Sequence, residues 1–505
     1  MRNLLFVLGS ILFFVLGFPP YSVLPLMMLA WVPLLWLWKA GKSVWWAPVI
    51  FLGWNIGCIG WLGEVEVNQV MALVPALIVN TGLFSLAWWL VRRTWKRLPA
   101  RWAWISLPVA WVPVEWIHFY WDLDFPWLTV GNALAEWPIF AQGYEIAGSS
   151  LGSLWILGIN GLVFSLLKKE IIWNRKAGIA IAIWIMFPLF FLPLGWRGSN
   201  AKMMEVTVVQ PNIETYQEKY DWGKYADQFH SMALLSEKEG NGDWIIWPET
   251  AVPGNFPIRF PAGFDRKSLQ IWQWDSLENL SSRLKNKNLV VGASCYGVFL
   301  DSLAPNGQRV ETYNAFLWFR NGALQGIYQK SKMVAGVEKI PFVDLIPGLK
   351  SLSLDFGGTT ESLQGQDTLS IFNDGKSSVC PLICFEQDFG RHASKGNWGN
   401  FIAIGTNDGW WSNSNGHLQH FEIARLRAIE NRKWVARAAN TGKSGFIDPQ
   451  GKVVGKTLNW NDKGVITQKI SLEERTTWYA RWGDYLVLMV LLGLIGIQIR
   501  KPKEN

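Results

Sequence analysis

Residues 3–38 contain no charged side chain. A stretch of that length cannot be covered by an ordinary soluble core, and the Phe18-Pro19-Pro20-Tyr21 break divides it into two apolar spans. Further spans read at roughly 45–62, 70–91, 103–119, 150–167 and 178–196. Each is near the ~20 residues needed to cross hydrocarbon. A secretory signal peptide over residues 3–18 is disfavoured, because bulky residues and two prolines follow where a small-x-small cleavage site belongs.

The basic residues of this part fall at the N-terminus (Arg2) or in alternate loops. They are Lys39 and Lys42; Arg92, Arg93, Lys96, Arg97 and Arg101; then Lys168, Lys169, Arg175 and Lys176. The intervening loops carry Glu64 and Glu66, then Asp122, Asp124, Glu136 and Glu145. The positive-inside rule therefore predicts a cytoplasmic N-terminus and, after seven spans, places residue 197 outside. These loops also account for much of the +8 net charge, so no nucleic-acid partner is indicated. Glu115 lies in or beside the fifth span and is a candidate by position, since intramembrane carboxylates are costly. The apolar, aromatic run from Phe125-Pro126-Trp127 onward reads as a re-entrant or interfacial segment at the outer surface.

At Arg197 the composition changes. Half of the 505 residues are hydrophobic and 17% are charged, and the charged ones concentrate after this point. Short β-rich runs at 204–210, 243–248, 288–295, 313–319, 325–329, 377–384 and 400–405 alternate with helical stretches near 223–239, 276–286 and 417–430. That alternation predicts an α/β domain with helices outside its sheets. Residues 485–499 are apolar again and precede Arg500, Lys501 and Lys503, which makes an eighth span with a basic cytoplasmic tail. The expected architecture is an eight-span α-helical membrane bundle plus an extracytoplasmic α/β domain. Its parts are a seven-span domain over 1–196, a catalytic domain over 197–483, and the last span and tail over 484–505.

The run from Ser377 to Cys384 reads as a short buried strand that ends abruptly at Cys384, with Glu386 two residues on. A thiol at a strand's C-terminal tip beside a carboxylate is where an α/β protein places a nucleophile. Cys380 reads as a core residue, as most free cysteines are. On one strand the two thiols stand roughly 13 Å apart, too far for a disulfide. Without a CxxC among Cys58, Cys295, Cys380 and Cys384, neither a metal centre nor a redox motif is indicated. Glu249, after Trp-Ile-Ile-Trp-Pro, and Lys330, after Gly-Ile-Tyr-Gln, each follow a strand as well. A helix cap and an exposed turn lysine are the plain readings of these two. Together with Cys384 they supply a base, a cation and a nucleophile for thiol acyl chemistry.

The set Trp247-Pro248-Glu249, Tyr328-Gln329-Lys330 and Cys384-Phe385-Glu386 resembles the Glu-Lys-Cys triad of the nitrilase superfamily. A further run extends the likeness: Thr406-Asn407-Asp408-Gly409-Trp410-Trp411, Gln419-His420, Arg427 to Arg432, Arg437 and Asn440-Thr441-Gly442-Lys443-Ser444. It resembles the apolipoprotein N-acyltransferase family, the membrane-embedded branch of that superfamily. Phe125-Pro126-Trp127, Gln210-Pro211-Asn212-Ile213, Tyr313-Asn314 and Arg481-Trp482-Gly483-Asp484 also match family positions.

The resemblance implies a nitrilase-like α-β-β-α sandwich in the periplasm of a bacterial inner-membrane protein, with both termini cytoplasmic. It implies Glu249 as general base, Lys330 as the cation near an oxyanion and Cys384 as nucleophile. Glu338 then stands at the position of a further functional Glu, although Met333-Val334-Ala335-Gly336-Val337 departs from the family's usual Leu-Val-Pro-Phe-Gly. Glu386 matches the Glu after the nucleophile, Phe385 stands where Tyr is commoner, and Asn314 falls in a matched stretch. Tyr220 or Trp222 fills the place of a functional Trp, and His118 replaces an expected Arg. The implied reaction moves an acyl chain from a phospholipid, through a thioester, to the α-amino group of a diacylated apolipoprotein, with no cofactor. A membrane-tethered amidase would use the same triad, and a non-catalytic scaffold would not need it. An apolar stretch over 333–366, with Pro341, Phe342, Val343, Leu345, Ile346, Pro347 and Leu349 and then Gly357 and Gly358, reads either as a surface loop with its own small core or as a mobile lid facing lipid.

Overall fold

The computed structural model describes residues 2–41, 43–65, 69–171, 175–195, 201–259, 271–298, 310–343, 345–346 and 363–500. Two compact units divide the chain. One comprises Met1–Arg197, Leu418–Glu430 and Thr477–Asn505; the other comprises Gly198–His417 and Asn431–Thr476.

The first unit is helical. Among the described residues, three helices are long and apolar enough to cross a membrane: Trp45–Glu64, Leu73–Trp95 and Ser150–Leu167. Asn3–Gly17, Leu24–Lys39, Gly178–Leu194 and Tyr485–Ile499 are apolar but shorter. At 1.5 Å per residue, a 15-residue helix such as Tyr485–Ile499 reaches only about 23 Å, against ~30 Å of hydrocarbon. The stretch at 103–119 forms a 3₁₀ turn, Ala100–Ile105, followed by a 12-residue helix, Ser106–Ile117. Against the expectation of eight spans, three helices among the described residues have spanning length.

Tryptophan fills the core of this unit. Phe14 stacks on Trp54 at 4.3 Å and meets Trp31 edge-on at 4.5 Å; Trp111 meets Trp31 at 5.2 Å. Where helices break, polar side chains satisfy the freed backbone groups, which an apolar surrounding demands. Asn160 accepts from the Trp31 N–H and donates to the Met27 carbonyl. Gln419 donates to the carbonyls of Pro19 and Cys58 and accepts from the indoles of Trp61 and Trp127. Glu115 is buried and accepts from the Trp111 indole and the Val130 N–H. It fastens the segment Pro126–Leu134, which forms two buried 3₁₀ turns.

The second unit is a two-sheet sandwich. Its strands are β1 (Met203–Gln210), β2 (Trp244–Ile246), β3 (Val252–Arg259), β4 (Asn288–Val298), β5 (Val310–Arg320), β6 (Ala323–Gln329), β7 (Phe372–Asn373), β8 (Ser378–Ile383), β9 (Phe401–Thr406), β10 (Trp434–Ala439), β11 (Ser444–Ile447), β12 (Val453–Leu458) and β13 (Gly464–Ser471). One sheet has the order β13-β1-β2-β4-β5-β6, with β3 paired to β4; the other runs β12-β11-β10-β9-β8-β7. Alternation along the strands separates two cores. Val206, Val208, Trp244, Ile246, Val290 and Phe316 face Val379, Ile383, Phe401, Ala403, Ala436 and Phe446 between the sheets. The opposite face of the first sheet, with Val209, Ile245 and Leu289, takes Phe229, Met232 and Trp274 from helices Tyr225–Lys238 and Trp272–Arg283. Cys380 is fully buried, against the turn at Gly396, where a Cβ would come within 2.0 Å of its sulfur.

This layering gathers strand ends. β1, β2 and β4 run parallel, as do β8, β9 and β10. The C-terminal tips of β2, β6, β8 and β9 carry the residues that follow.

Candidate active site

Cys384 follows β8 directly. Its φ is +50°, a left-handed conformation that costs a non-glycine residue about 1–3 kcal/mol and collects at functional sites. The turn persists because Glu386 fixes it from below. Glu386 Oε2 accepts from the Ile383 N–H at 2.7 Å. Its Oε1 accepts from the Tyr328 hydroxyl and the Ser331 N–H, each at 2.6 Å, and from the Lys332 N–H at 3.2 Å. One buried carboxylate thereby ties the residue before Cys384 to the turn after Lys330. His392 lies 3.3 Å from the same oxygen. Burial opposes ionisation of Glu386, but these donors, His392 foremost, hold its carboxyl below the usual 4.5.

Lys330 follows β6 and is almost wholly buried. Its ammonium donates to Glu338 Oε1 at 2.8 Å and to Glu249 Oε1 at 3.3 Å. Burial favours the neutral amine, yet Glu338 and Glu249 outweigh it and push the pKa up. The ammonium therefore stays charged across the accessible pH range. Glu338 is itself placed by the Val334 N–H at 2.9 Å.

Glu249 stands beyond β2, in a turn where the following Thr250 has φ +45°. Its carboxylate accepts from Asn314 Nδ2 at 2.8 Å and from the Asn407 N–H at 3.1 Å. Two glycines allow the approach. A Cβ on Gly292 would stand 2.2 Å from the Pro248 carbonyl, and one on Gly405 would stand 2.2 Å from the Phe316 ring and 3.2 Å from the Glu249 nitrogen.

The Cys384 thiol is pushed well above its usual pKa, first by burial and then by the charge of Glu249; Lys330 and a hydrogen bond with Thr406 pull the other way. The resting nucleophile is a thiol, so attack requires a base at hand; of the carboxylates whose charge acts on it, Glu249 acts most strongly, while Asp408 is paired with Arg437. Thr406, the last residue of β9, donates its own proton to Asp408 Oδ1 at 2.8 Å. Asp408 is held by Arg437 at 3.0 Å, both fully buried.

The structure therefore gathers Glu249, Lys330, Cys384, Glu338, Asn314 and Glu386 at one place. Phe385 is buried against Phe389 at 5.1 Å, edge to face. Trp222 is 85% exposed, stacked on Tyr225 at 6.2 Å, and takes no part in the cluster. Tyr220 instead lies 6.3 Å from the Trp410 ring, on the segment nearer Glu249. In the 333–366 stretch, Leu345 and Ile346 are exposed, whereas Pro347, Leu349, Gly357 and Gly358 lie outside the described residues. Sequence reasoning missed Lys219, a buried lysine, and the roles of Thr406 and Asn407. Thr406 and Asn407 sat inside a noted motif, but a side chain's partner across two strands leaves no local pattern.

A family model for carbon-nitrogen hydrolases matches residues 205–480, more than half of the chain. With the two-sheet sandwich and the Glu-Lys-Cys cluster, it defines the second unit as a nitrilase-superfamily domain. A second model, the apolipoprotein N-acyltransferase N-terminal domain, matches residues 10–162. An apolipoprotein N-acyltransferase of Chlorobaculum tepidum is 31% identical over 422 residues, covering 80% of this chain and 77% of that protein. One of Rhodopseudomonas palustris is 26% identical over 491 residues, covering 92% and 86%. Among solved structures, an amidase of Nesterenkonia AN1 from the nitrilase superfamily aligns with a TM-score of 0.38 at 14% identity, over 57% of this chain and 97% of that one. The chain belongs to the apolipoprotein N-acyltransferase family.

Proposed function

We propose that the chain transfers an acyl chain from a phospholipid to the α-amino group of a diacylglyceryl-cysteine at an apolipoprotein N-terminus, through a thioester on Cys384. The observation that carries this reading is the strained, buried Cys384 thiol beside the Glu249–Lys330–Glu338 cluster, in a chain of the N-acyltransferase family.

In the first half-reaction, Glu249 takes the thiol proton as sulfur attacks the ester carbonyl. Negative charge moves onto the carbonyl oxygen, where Lys330 and a backbone N–H beside Cys384 stabilise it. The carbon–oxygen bond breaks, and protonated Glu249 returns the proton to the departing lysophospholipid. In the second half-reaction, the neutral acceptor amine attacks the thioester, Glu249 takes its proton, and the thiol is released. No cofactor enters this sequence, and the two substrates use one site in turn.

The membrane arrangement belongs to the same proposal. Residues 1–196 hold the protein in a bacterial inner membrane, 197–483 act in the periplasm, and the last span over 484–505 returns the chain to the cytoplasm. The alternating Lys and Arg loops support that orientation. Both substrates keep their acyl chains in the bilayer, which avoids about 0.8 kcal/mol for each CH₂ withdrawn. Exposed Leu345 and Ile346 support an apolar rim beside the site.

Incubation of the purified protein with phospholipid alone tests the reading. It predicts an acyl adduct on Cys384, labile to hydroxylamine, that a diacylated lipopeptide then converts to a triacylated product. Release of free fatty acid only would make the chain a membrane-tethered hydrolase. Full N-acylation by Cys384→Ala would remove the nucleophile assignment.

A further inference from the structure

Lys219 lies in the turn between β1 and helix Tyr225–Lys238 and is 95% buried by its 5% exposure. Its ammonium donates to the backbone carbonyl of Glu249 at 3.3 Å. Among the described residues no carboxylate comes within ion-pair distance of it. Burying an ammonium without a partner costs several kcal/mol. A chain retains such a group where charge is needed nearby.

The turn is also built into the site. Asn440 accepts the Asn212 N–H on its backbone carbonyl and donates from its side chain to the Ile213 carbonyl and to Asn407 Oδ1. Thr215 donates to the same Asn407 oxygen, and Gly409 is required there, since a Cβ would stand 2.0 Å from the Thr215 hydroxyl. The Lys219 N–H closes on the Glu214 carbonyl at 3.0 Å. Asn407 gives its own N–H to the Glu249 carboxylate. One asparagine thus sets both Lys219's turn and Glu249.

Counting charges shows what Lys219 supplies. Without it, the two carboxylates that contact Lys330, Glu249 and Glu338, face one ammonium, one negative charge in excess; Glu386 is held apart from them by Tyr328, His392 and backbone N–H groups. In the tetrahedral intermediate Glu249 is protonated and the oxyanion replaces its charge, so the excess persists. Lys219 cancels it in both states.

We propose that Lys219 is the balancing cation of the site, a positioning residue that holds the Glu249 turn and lowers the cost of charge on Cys384 and on the oxyanion. This rests on the thioester reading above. It adds a residue whose charge, and not only its packing, sets the acylation rate.

The pH dependence follows. Burial lowers Lys219 to about 8, although Glu249 and Cys384 raise it. The other charged groups near its turn are Glu214, whose carboxylate caps Tyr216 and Gln217, and Glu218, which pairs with Lys224. Lys330, Glu338 and Asp408 face the cluster from the other strand ends. As pH rises through about 8, Lys219 loses its charge and the site its balance, so acylation slows. The folded state binds fewer protons than the unfolded one between about 8 and the usual 10.5, so folding stability rises with pH over that interval. Rate and stability therefore move in opposite directions, which a purely structural lysine would not produce.

The test uses the full-length protein in phospholipid micelles. It measures single-turnover acylation of Cys384 by intact mass, and separately the alkylation of Cys384 by iodoacetamide, from pH 6 to 10. Lys219→Met should slow both about 10-fold at pH 7, less than the roughly 10²–10³-fold lost with a donor that touches the oxyanion, and should leave the melting temperature equal or higher. Lys219→Arg should keep most of the rate and lose the fall near pH 8. A Lys219→Met protein within twofold of wild type at both readouts would overturn the proposal. So would a Lys219→Arg protein that keeps the wild-type limb. Wild-type protein that is alkylated normally but forms no acyl adduct would instead defeat the thioester reading, with the alkylation series still reporting on Lys219.

Discussion

Glu386→Gln isolates what the carboxylate beneath the nucleophile does. The amide keeps the shape of the side chain but offers one acceptor and one donor where the protein presents donors alone. The tolerable orientation leaves oxygen facing Tyr328, Ser331 and Lys332, and turns the NH₂ toward the Ile383 N–H. A charge-assisted hydrogen bond worth about 1.5–3 kcal/mol is lost there, and the remaining ones fall to roughly half strength. The total is about 4 kcal/mol. If half of it appears as a displaced Cys384 turn, whose φ of +50° needs that anchor, acylation slows about 30-fold at 1.36 kcal/mol per decade. The rest appears as lost stability. Because the folded carboxyl sits below its usual 4.5, that stability is fully present above this value and disappears as pH falls through the folded one. The variant should therefore show a flatter acid-unfolding curve below pH 4.5. Single-turnover mass spectrometry reads the rate and thermal unfolding at pH 7 and pH 4 reads the stability. Acylation within threefold of wild type would refute the reasoning.

Two more perturbations address the other supports. Gly292→Ala places a methyl 2.2 Å from the Pro248 carbonyl, against backbone that cannot swing aside, and should reduce acylation at least 10-fold with a stability loss of about 1–3 kcal/mol, both read on the purified protein. Thr406→Val takes a donor away from the buried Asp408 carboxylate and should cost about 1–3 kcal/mol of stability, read by thermal unfolding of the purified protein.

How far the sequence carried this picture depends on the kind of signal. Strands at 204–210, 288–295, 313–319 and 400–405 were legible because they are short runs rich in β-branched, aromatic and other apolar residues, and each lies within or beside an observed strand. The helices near 223–239 and 417–430 announced themselves by their polar faces. β3 and β7 carried no such run, and β12 and β13 were missed for a different reason. β12 and β13, with Gly455, Lys456, Thr467, Gln468 and Lys469, are half exposed at the sheet edges, and no apolar stripe marks them. In the helical unit, apolar length was read as spans, yet the stretch at 103–119 divides into the 3₁₀ turn Ala100–Ile105 and a 12-residue helix. Hydropathy reports burial in apolar surroundings and not the rise per residue.

The site divides along the same line. Glu249, Lys330 and Cys384 were found because each follows an apolar strand, and because strand ends converge in an α/β fold. Glu338 carried no strand signal and entered through the family resemblance alone; the 2.8 Å contact with Lys330 now gives it a physical place. Lys219 had neither signal, since a lysine in a polar turn normally belongs to solvent. Its burial is a consequence of Asn407 and Asn440, residues far along the chain, closing the turn over Glu249. The motif around Thr406 to Gly409 thus does more than end a strand: it brings a second cation to a cluster in which Glu249 and Glu338 otherwise face Lys330 alone. A triad read from sequence names the groups that exchange protons and bonds. The charge that makes the exchange affordable in a buried site comes from outside it.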